Sequence, residues 1–437
     1  MTRTAAAFAI TVVSLLACSD RPTAPNESPS RSPRAASAAL SSNSAHPVGT
    51  LASVTWEARA DTLAASRSLS PIVAGRAYGL VGVAQYGAAI AATPDDDAQG
   101  GEDNGTSSPS PEAHYYVIRG AVTGASAQVL RYLFPLDVAA IEAQVATEGA
   151  VGAPGIQSQF AQGVAIGRAI GDLVVQHGRA DGFANADGTP KVWDPSSLRS
   201  GPTIWHMDVD ATPHVPAGFQ FPMMRPYYLE SPSQFRPPPP PTDLTAAANE
   251  VVAIVNARTP AQAAIARFWN FPAGTITPLG YWNQLAASYV QEFGFSEREA
   301  AHVFALMNST ASDATIGCWD AKYQYLALRP WMVAADDSTN GKMIIGRPNH
   351  PSYPSGHSCA SAAAGSVLEE FFPSKTTTVD QQVAEAGMSR IYGGIHYFLD
   401  IQAGQTLGRS VAAWAIQYDH EHGLLSAVFP SGTFAHQ

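Results

Sequence analysis

Apolar residues recur three and four positions apart through most of this chain, the spacing that puts them on one face of a helix. From Ser53 to Ala92 this pattern predicts two helices broken near Ser70-Pro71. Further Ala-rich helices are expected over 114–148 and 157–178, then near 242–257, 260–270 and 280–293, and a longer one from Glu297 to about Leu328. No run of alternating apolar residues with hairpin turns occurs, so an all-α fold is expected, a compact helical bundle. One stretch departs from the pattern. Gly182 to Pro241 sets Trp193, Trp205, Phe219, Phe221, Tyr227, Tyr228 and Phe235 among prolines, which predicts a long irregular insertion packed on the body by its aromatics. The run Pro237 to Pro241 reads as a rigid connector into the next helix more readily than as a docking motif for a partner.

Composition narrows the possibilities. The chain has 437 residues, 46% apolar and 14% charged, with a net charge of −11. That acidity excludes a protein whose main partner is nucleic acid, because phosphate recognition needs a basic face. The acidic, glycine-rich run from Pro94 to Pro111 lacks the ordered ligand spacing of an EF-hand loop and reads as a solvated loop rather than a calcium site.

At the start, Arg3 precedes an apolar run from Ala5 to Leu16 that closes with Leu15-Leu16-Ala17-Cys18. This resembles a bacterial lipoprotein signal peptide, residues 1–17, with Cys18 as the lipidated residue and Ser19 favouring the outer membrane, facing the periplasm or the exterior. Residues 18–52, rich in Ser, Pro and Ala, then form a disordered tether, and 53–437 a single helical domain with an N-terminal helical part, 53–295, and an anion-binding part, 296–437. The lipid anchor would be the sole membrane attachment, since no later segment is long and apolar enough to span a bilayer. Cys318 and Cys359 are the remaining cysteines; a disulfide and two buried thiols are both open.

Candidate chemistry is concentrated between Lys322 and Asp400, in three clusters. Lys322 and Arg329 are seven apart, which on a continuous helix places them on one face, roughly 10 Å apart along the axis, and Pro330 favours ending or kinking that helix. Pro354-Ser355-Gly356-His357 opens an Ala/Ser-rich helix running to about Phe371, so Ser355 and Gly356 lie at a helix N-terminus, where backbone N–H groups and the dipole favour an anion. In the third, Ser389-Arg390 is separated from His396 by Gly393-Gly394, which lets the backbone turn so that both side chains reach one point, and Asp400 lies four residues past His396, placed to fix its tautomer. Taken singly, each cluster has an ordinary structural explanation: solvated cations, an N-cap serine, a core histidine satisfied by aspartate. Together they supply what is needed to hold an oxyanion.

The series Lys-x6-Arg-Pro, Pro-Ser-Gly-His, Ser-Arg-x5-His-x3-Asp resembles, in full and in order, the signature of the superfamily joining vanadium-dependent haloperoxidases and type 2 phosphatidic acid phosphatases. The looser likeness of PYYLESPSQFRPPPPP and FWN…GYWNQLA to soluble bacterial haloperoxidases extends it over about 55–437. The resemblance implies a vanadate ion with His396 as its axial ligand; Lys322, Arg329, Ser355, Gly356 and Arg390 around its equatorial oxygens; and His357 as acid–base. Hydrogen peroxide and bromide or iodide would give hypohalous acid, which acts on an organic acceptor. His350, seven residues before His357, is a candidate halide-site residue, as in bromoperoxidase-type members. The same residues serve an acid phosphatase, with phosphate in place of vanadate and His396 as nucleophile. A non-catalytic envelope binding lipoprotein is the alternative of another class, and it leaves both histidines and all three cations unexplained. Helical relatives of this kind are often homodimers.

Overall fold

The computed structural model describes residues 50–93, 111–183, 198–207, 215–334, 342–429 and 433. The expected signal peptide with Cys18, most of the expected tether, the acidic run and Trp193 lie outside the described residues. Helices follow one another as α1 (Ala52–Ser66), α2 (Pro71–Ala91), α3 (Pro111–Leu133), α4 (Val138–Gly149), α5 (Pro154–Ala180), α6 (Thr245–Asn256), α7 (Pro260–Phe268), α8 (Thr277–Glu292), α9 (Glu297–Tyr325), α10 (Gly356–Phe371), α11 (Thr376–Tyr392) and α12 (Phe398–His422). No strand occurs among the described residues, so the all-α expectation holds. None of these helices is long and apolar enough to cross a membrane.

Local chemistry sets most boundaries. Thr259 and Gln262 form a capping box at the start of α7, and Ser296 and Glu299 another at the start of α9. The expected helix 114–148 is two, because Pro135 lacks the N–H that would continue the ladder and a short 3-10 turn, Pro135–Asp137, intervenes. The expected helix 297–328 stops at Tyr325, and Leu326 takes a left-handed conformation (φ 54°) as its N–H caps the Lys322 carbonyl. Arg329 therefore sits on the connector beyond the helix, as the cap of a single turn, Pro330–Val333.

α9 is buried on nearly all sides and runs through the core against α2, α10 and α12. Its buried Asp313 accepts the backbone N–H groups of Tyr227 (2.7 Å), Tyr228 (2.8 Å) and Leu229 (3.3 Å), giving the irregular insertion the hydrogen bonds it lacks internally. Further along, the Tyr325 and Tyr353 hydroxyls donate to the carbonyls of Pro237 (2.6 Å) and Pro238 (2.8 Å), so the proline run is held against the body. α1 is fastened differently. Glu297, on α9, accepts the N–H groups of Ala52 and Ser53, both at 2.7 Å. α3 and α5 cross at backbone contact: a Cβ at Gly167 would lie 1.9 Å from the Ala121 carbonyl oxygen.

Candidate active site

Three connections bring the sequence clusters together. Ser355 caps α10, its Oγ accepting the Ser358 N–H at 3.4 Å, and its own N–H donates to the Asp400 carbonyl at 2.9 Å, tying the Pro-Ser-Gly-His segment to α12. α11 ends at Tyr392, and Gly394, at φ +80°, turns the chain so that Arg390 and His396 face one cavity. The cavity, about 340 Å³, is lined by Arg390, His396, His357, Gly356 and His350, with Trp319, Ile72, Phe271, Pro278 and Leu279 as apolar wall.

His396 is buried and held at both ring nitrogens. Nδ1 is 2.7 Å from Asp400 Oδ2, and Nε2 is 3.1 Å from Arg329 Nη1. A guanidinium only donates and a carboxylate only accepts, so Nδ1 carries the proton and Nε2 the lone pair. Asp400 Oδ2 also takes the Ser352 hydroxyl at 2.5 Å and the Tyr397 N–H at 3.1 Å, while burial raises its carboxyl to about 6. Sequence reasoning missed Ser352; a lone serine before Pro-Ser-Gly-His carries no signal until the loop folds beside Asp400.

His357, half-buried, has Nε2 2.9 Å from the Trp269 carbonyl. A carbonyl only accepts, so Nε2 is protonated and Nδ1 is the nitrogen free to exchange a proton. Trp269 was likewise not foreseen, because it contributes a backbone atom, to which sequence is blind. His350 packs against Trp319 with ring centroids 5.1 Å apart, and its Nδ1 is 3.1 Å from Arg329 Nη2. Burial first, then neighbouring cations, depress all three histidines well below the ordinary value: Lys322 and Arg329 act on His350, Arg390 most on His357, and Arg329 most on His396.

The cations divide into two groups. Lys322 does not line the cavity; Nζ donates to the carbonyls of Pro351 (2.9 Å), Ser352 (2.8 Å) and Pro354, and burial lowers it to about 8. Arg329 also stands behind the wall, donating Nε to the His350 carbonyl at 3.0 Å and Nη1 to the Ile395 carbonyl at 2.7 Å. Arg390 lines the cavity, anchored by Nε to Ser389 Oγ at 2.8 Å and Nη2 to the Ala266 carbonyl at 3.2 Å. Burial holds the two guanidiniums down to about 10 and about 9, still cations at neutral pH.

No carboxylate ion-pairs with Lys322, Arg329 or Arg390 among the described residues; Asp400 pairs with His396. Three buried cations facing one carboxylate leave an excess of positive charge, and the N–H groups of Gly356 and His357 at the start of α10 have no protein acceptor among the described residues. This donor set fits an oxyanion, vanadate or phosphoryl alike. Cys318 and Cys359 are free, buried thiols in contact, with sulfurs 2.6 Å apart.

Comparison with known proteins agrees with this geometry. Residues 301–423 match the model of the PAP2 superfamily. A non-specific acid phosphatase of Providencia stuartii is 26% identical over 132 residues, 30% of this chain and 53% of the relative. A vanadium chloroperoxidase of Curvularia inaequalis is 25% identical over 148 residues, 28% of this chain and 24% of the relative. The chain thus spans about half the length of the first of these curated relatives and about a quarter of the second. Among solved structures, a bacterial vanadium-dependent iodoperoxidase superposes with a TM-score of 0.70 at 24% identity, covering 85% of this chain and 97% of that one. A holo bacterial vanadium-dependent chloroperoxidase gives 0.62 at 15% identity, covering 81% and 93%. The fold is the all-α fold of the PAP2 and vanadium haloperoxidase-like enzymes.

Proposed function

We propose that this chain is a vanadate-dependent haloperoxidase that oxidises bromide or iodide with hydrogen peroxide to hypohalous acid. The observation that carries the reading is the excess of buried cations around the unprotonated Nε2 of His396, in a fold that parallels a vanadium iodoperoxidase over 85% of the chain. His396 Nε2 would bind the metal; Arg390 and the N–H groups of Gly356 and His357 would hold the oxygens on the cavity side. Arg329, Lys322 and Ser355 would act from behind it, through field and loop shape. Bound vanadate supplies Lewis acidity that activates peroxide without changing oxidation state. His357 Nδ1 accepts or returns a proton at the cavity, and Asp400 keeps the His396 proton on Nδ1. His350, in the wall against Trp319, is the candidate residue for the halide.

The phosphatase relative supports a second reading of the same atoms. There His396 Nε2 would attack the phosphorus of a phosphate ester while His357, protonated at Nδ1 beside the bound phosphate, gives that proton to the departing alcohol; the neutral His357 would then take a proton from the water that hydrolyses the phosphohistidine.

Activity of the purified protein with and without vanadate separates the two. The proposal expects peroxide-dependent iodide and bromide oxidation that appears only with vanadate. Phosphate-ester hydrolysis inhibited by vanadate, with no halide oxidation, would overturn it.

A further inference from the structure

Away from the anion cavity, α1 turns two carboxylates toward α8. Glu57 and Asp61, one helical turn apart, are 2% and 3% exposed. Asn283 on α8 brings Nδ2 to 3.4 Å from Glu57 Oε2, and a Cβ at Gly280, one turn earlier, would lie 2.7 Å from Asp61 Oδ1, so the two helices meet along this pair of positions. Tyr78 of α2, whose hydroxyl donates to the Ile276 carbonyl at 2.8 Å, closes the third side.

The cluster is short of positive partners. Glu57 Oε1, Asp61 Oδ1, Asn283 Oδ1 and Thr277 Oγ1 are all buried with no hydrogen-bond partner, and neither carboxylate forms an ion pair among the described residues. Carboxylate and amide oxygens only accept, so what the site lacks is a cation or a set of donors. Burial pushes Asp61 up to about 8 against the opposing hydrogen bonds of Tyr78 and Gln284, and burial together with the charge of Asp61 pushes Glu57 well above its ordinary value. The cluster offers two carboxylates with amide and hydroxyl oxygens and neither sulfur nor imidazole, a donor set that suits a hard ion.

We propose that this oxygen cluster between α1, α2 and α8 binds one calcium ion. Two carboxylates balance a divalent charge. Calcium accepts mixed side-chain oxygens in irregular geometry, whereas magnesium keeps most of its water and demands an octahedron. The site would brace the start of α8, where Thr277 is held at φ +66° immediately before Pro278 and Leu279, two residues of the anion cavity wall. It is independent of whether that cavity serves vanadate or phosphate.

The test uses the full-length protein, equilibrated with calcium chloride, desalted and assayed by plasma mass spectrometry. One retained calcium per chain, a Tm several degrees above that of chelator-treated protein, and terbium emission displaced by calcium are expected. Asp61→Asn and Glu57→Gln should abolish all three responses. Both variants leave the acidic run at 95–103 intact, so calcium retained by them counts against the proposal. If the carboxyls are merely protonated, the wild type keeps no calcium and Asp61→Asn raises Tm with or without it, which overturns the site. Should the variants fail to fold, absence of saturable, calcium-displaceable terbium emission from the wild type overturns it equally.

Discussion

Nδ1 of His396 stands 2.7 Å from Oδ2 of Asp400, and this contact decides which nitrogen of the ring is available for chemistry. Asp400→Asn removes the fixed acceptor and lets the ring take the other tautomer. Inorganic vanadate affinity, measured by calorimetry, should fall about 10–100-fold with the helical content unchanged. Wild-type affinity in the variant would refute the orienting role.

His350, His357 and His396 titrate far below an unfolded value near 6.5, so the unfolded chain binds more protons and stability is lost as pH falls through that value. Asp400, Asp313 and Asp61 work the other way, because their folded values of about 6, 7 and 8 lie above their unfolded ones, so they add stability over the same range as the pH falls. The share of the rings is read by difference: a variant with His350, His357 and His396 all replaced by glutamine should lose less Tm, or gain more, than the wild type as the pH falls from 7.5 to 5.5. The same pH slope in variant and wild type would contradict the neutral state of these rings.

Lys322 carries a second pH dependence. With its ammonium held down to about 8, raising the pH from 7 to 9 removes a buried cation and should weaken anion binding by up to about tenfold. Lys322→Met should lose the part of that dependence below pH 8, leaving the part nearer pH 9 to Arg390. It should also cost about 3 kcal/mol in denaturant unfolding, because three buried carbonyls lose their donor.

His350→Ala should impair halide oxidation and leave phosphate-ester hydrolysis, if present, unchanged. Equal loss of both activities in steady-state assays would place His350 in support of Arg329, whose Nη2 it faces, rather than at the halide.

Asp313→Asn tests the anchoring of the irregular insertion. The amide presents one acceptor oxygen where two now receive three backbone N–H groups, so urea unfolding should show a loss of about 2–4 kcal/mol. The stability of a variant left unchanged would show that the aromatics alone hold the segment.

Much of this was legible in residue order. Helical spacing located the helices up to α9, and the Pro-Ser-Gly-His segment marked the start of α10, but no helix was expected over α11 or α12; the second and third clusters contain Gly356, His357, Arg390 and His396, which line the cavity. The misreadings have specific causes. Helical periodicity continues past Phe134-Pro135, so the pattern alone ran two helices into one. Leu326 gives no warning of its left-handed turn, since leucine seldom adopts one; that turn took Arg329 off the helix and separated it from Lys322. Counting cations also says nothing of where their protons go. Lys322 and Arg329 spend theirs largely on backbone carbonyls, and only folding reveals such partners.

The grip of Glu297 on α1 bears on the order in which the chain can assemble. The acceptor for the N–H groups of Ala52 and Ser53 lies 245 and 244 residues downstream, so the first helix of the body cannot complete its own beginning when it is made. Its opening turn has to wait, frayed and hydrated, until more than half of the polypeptide has followed and α9 has been laid into the core. The first helix of the body to be synthesised is thereby among the last to be locked.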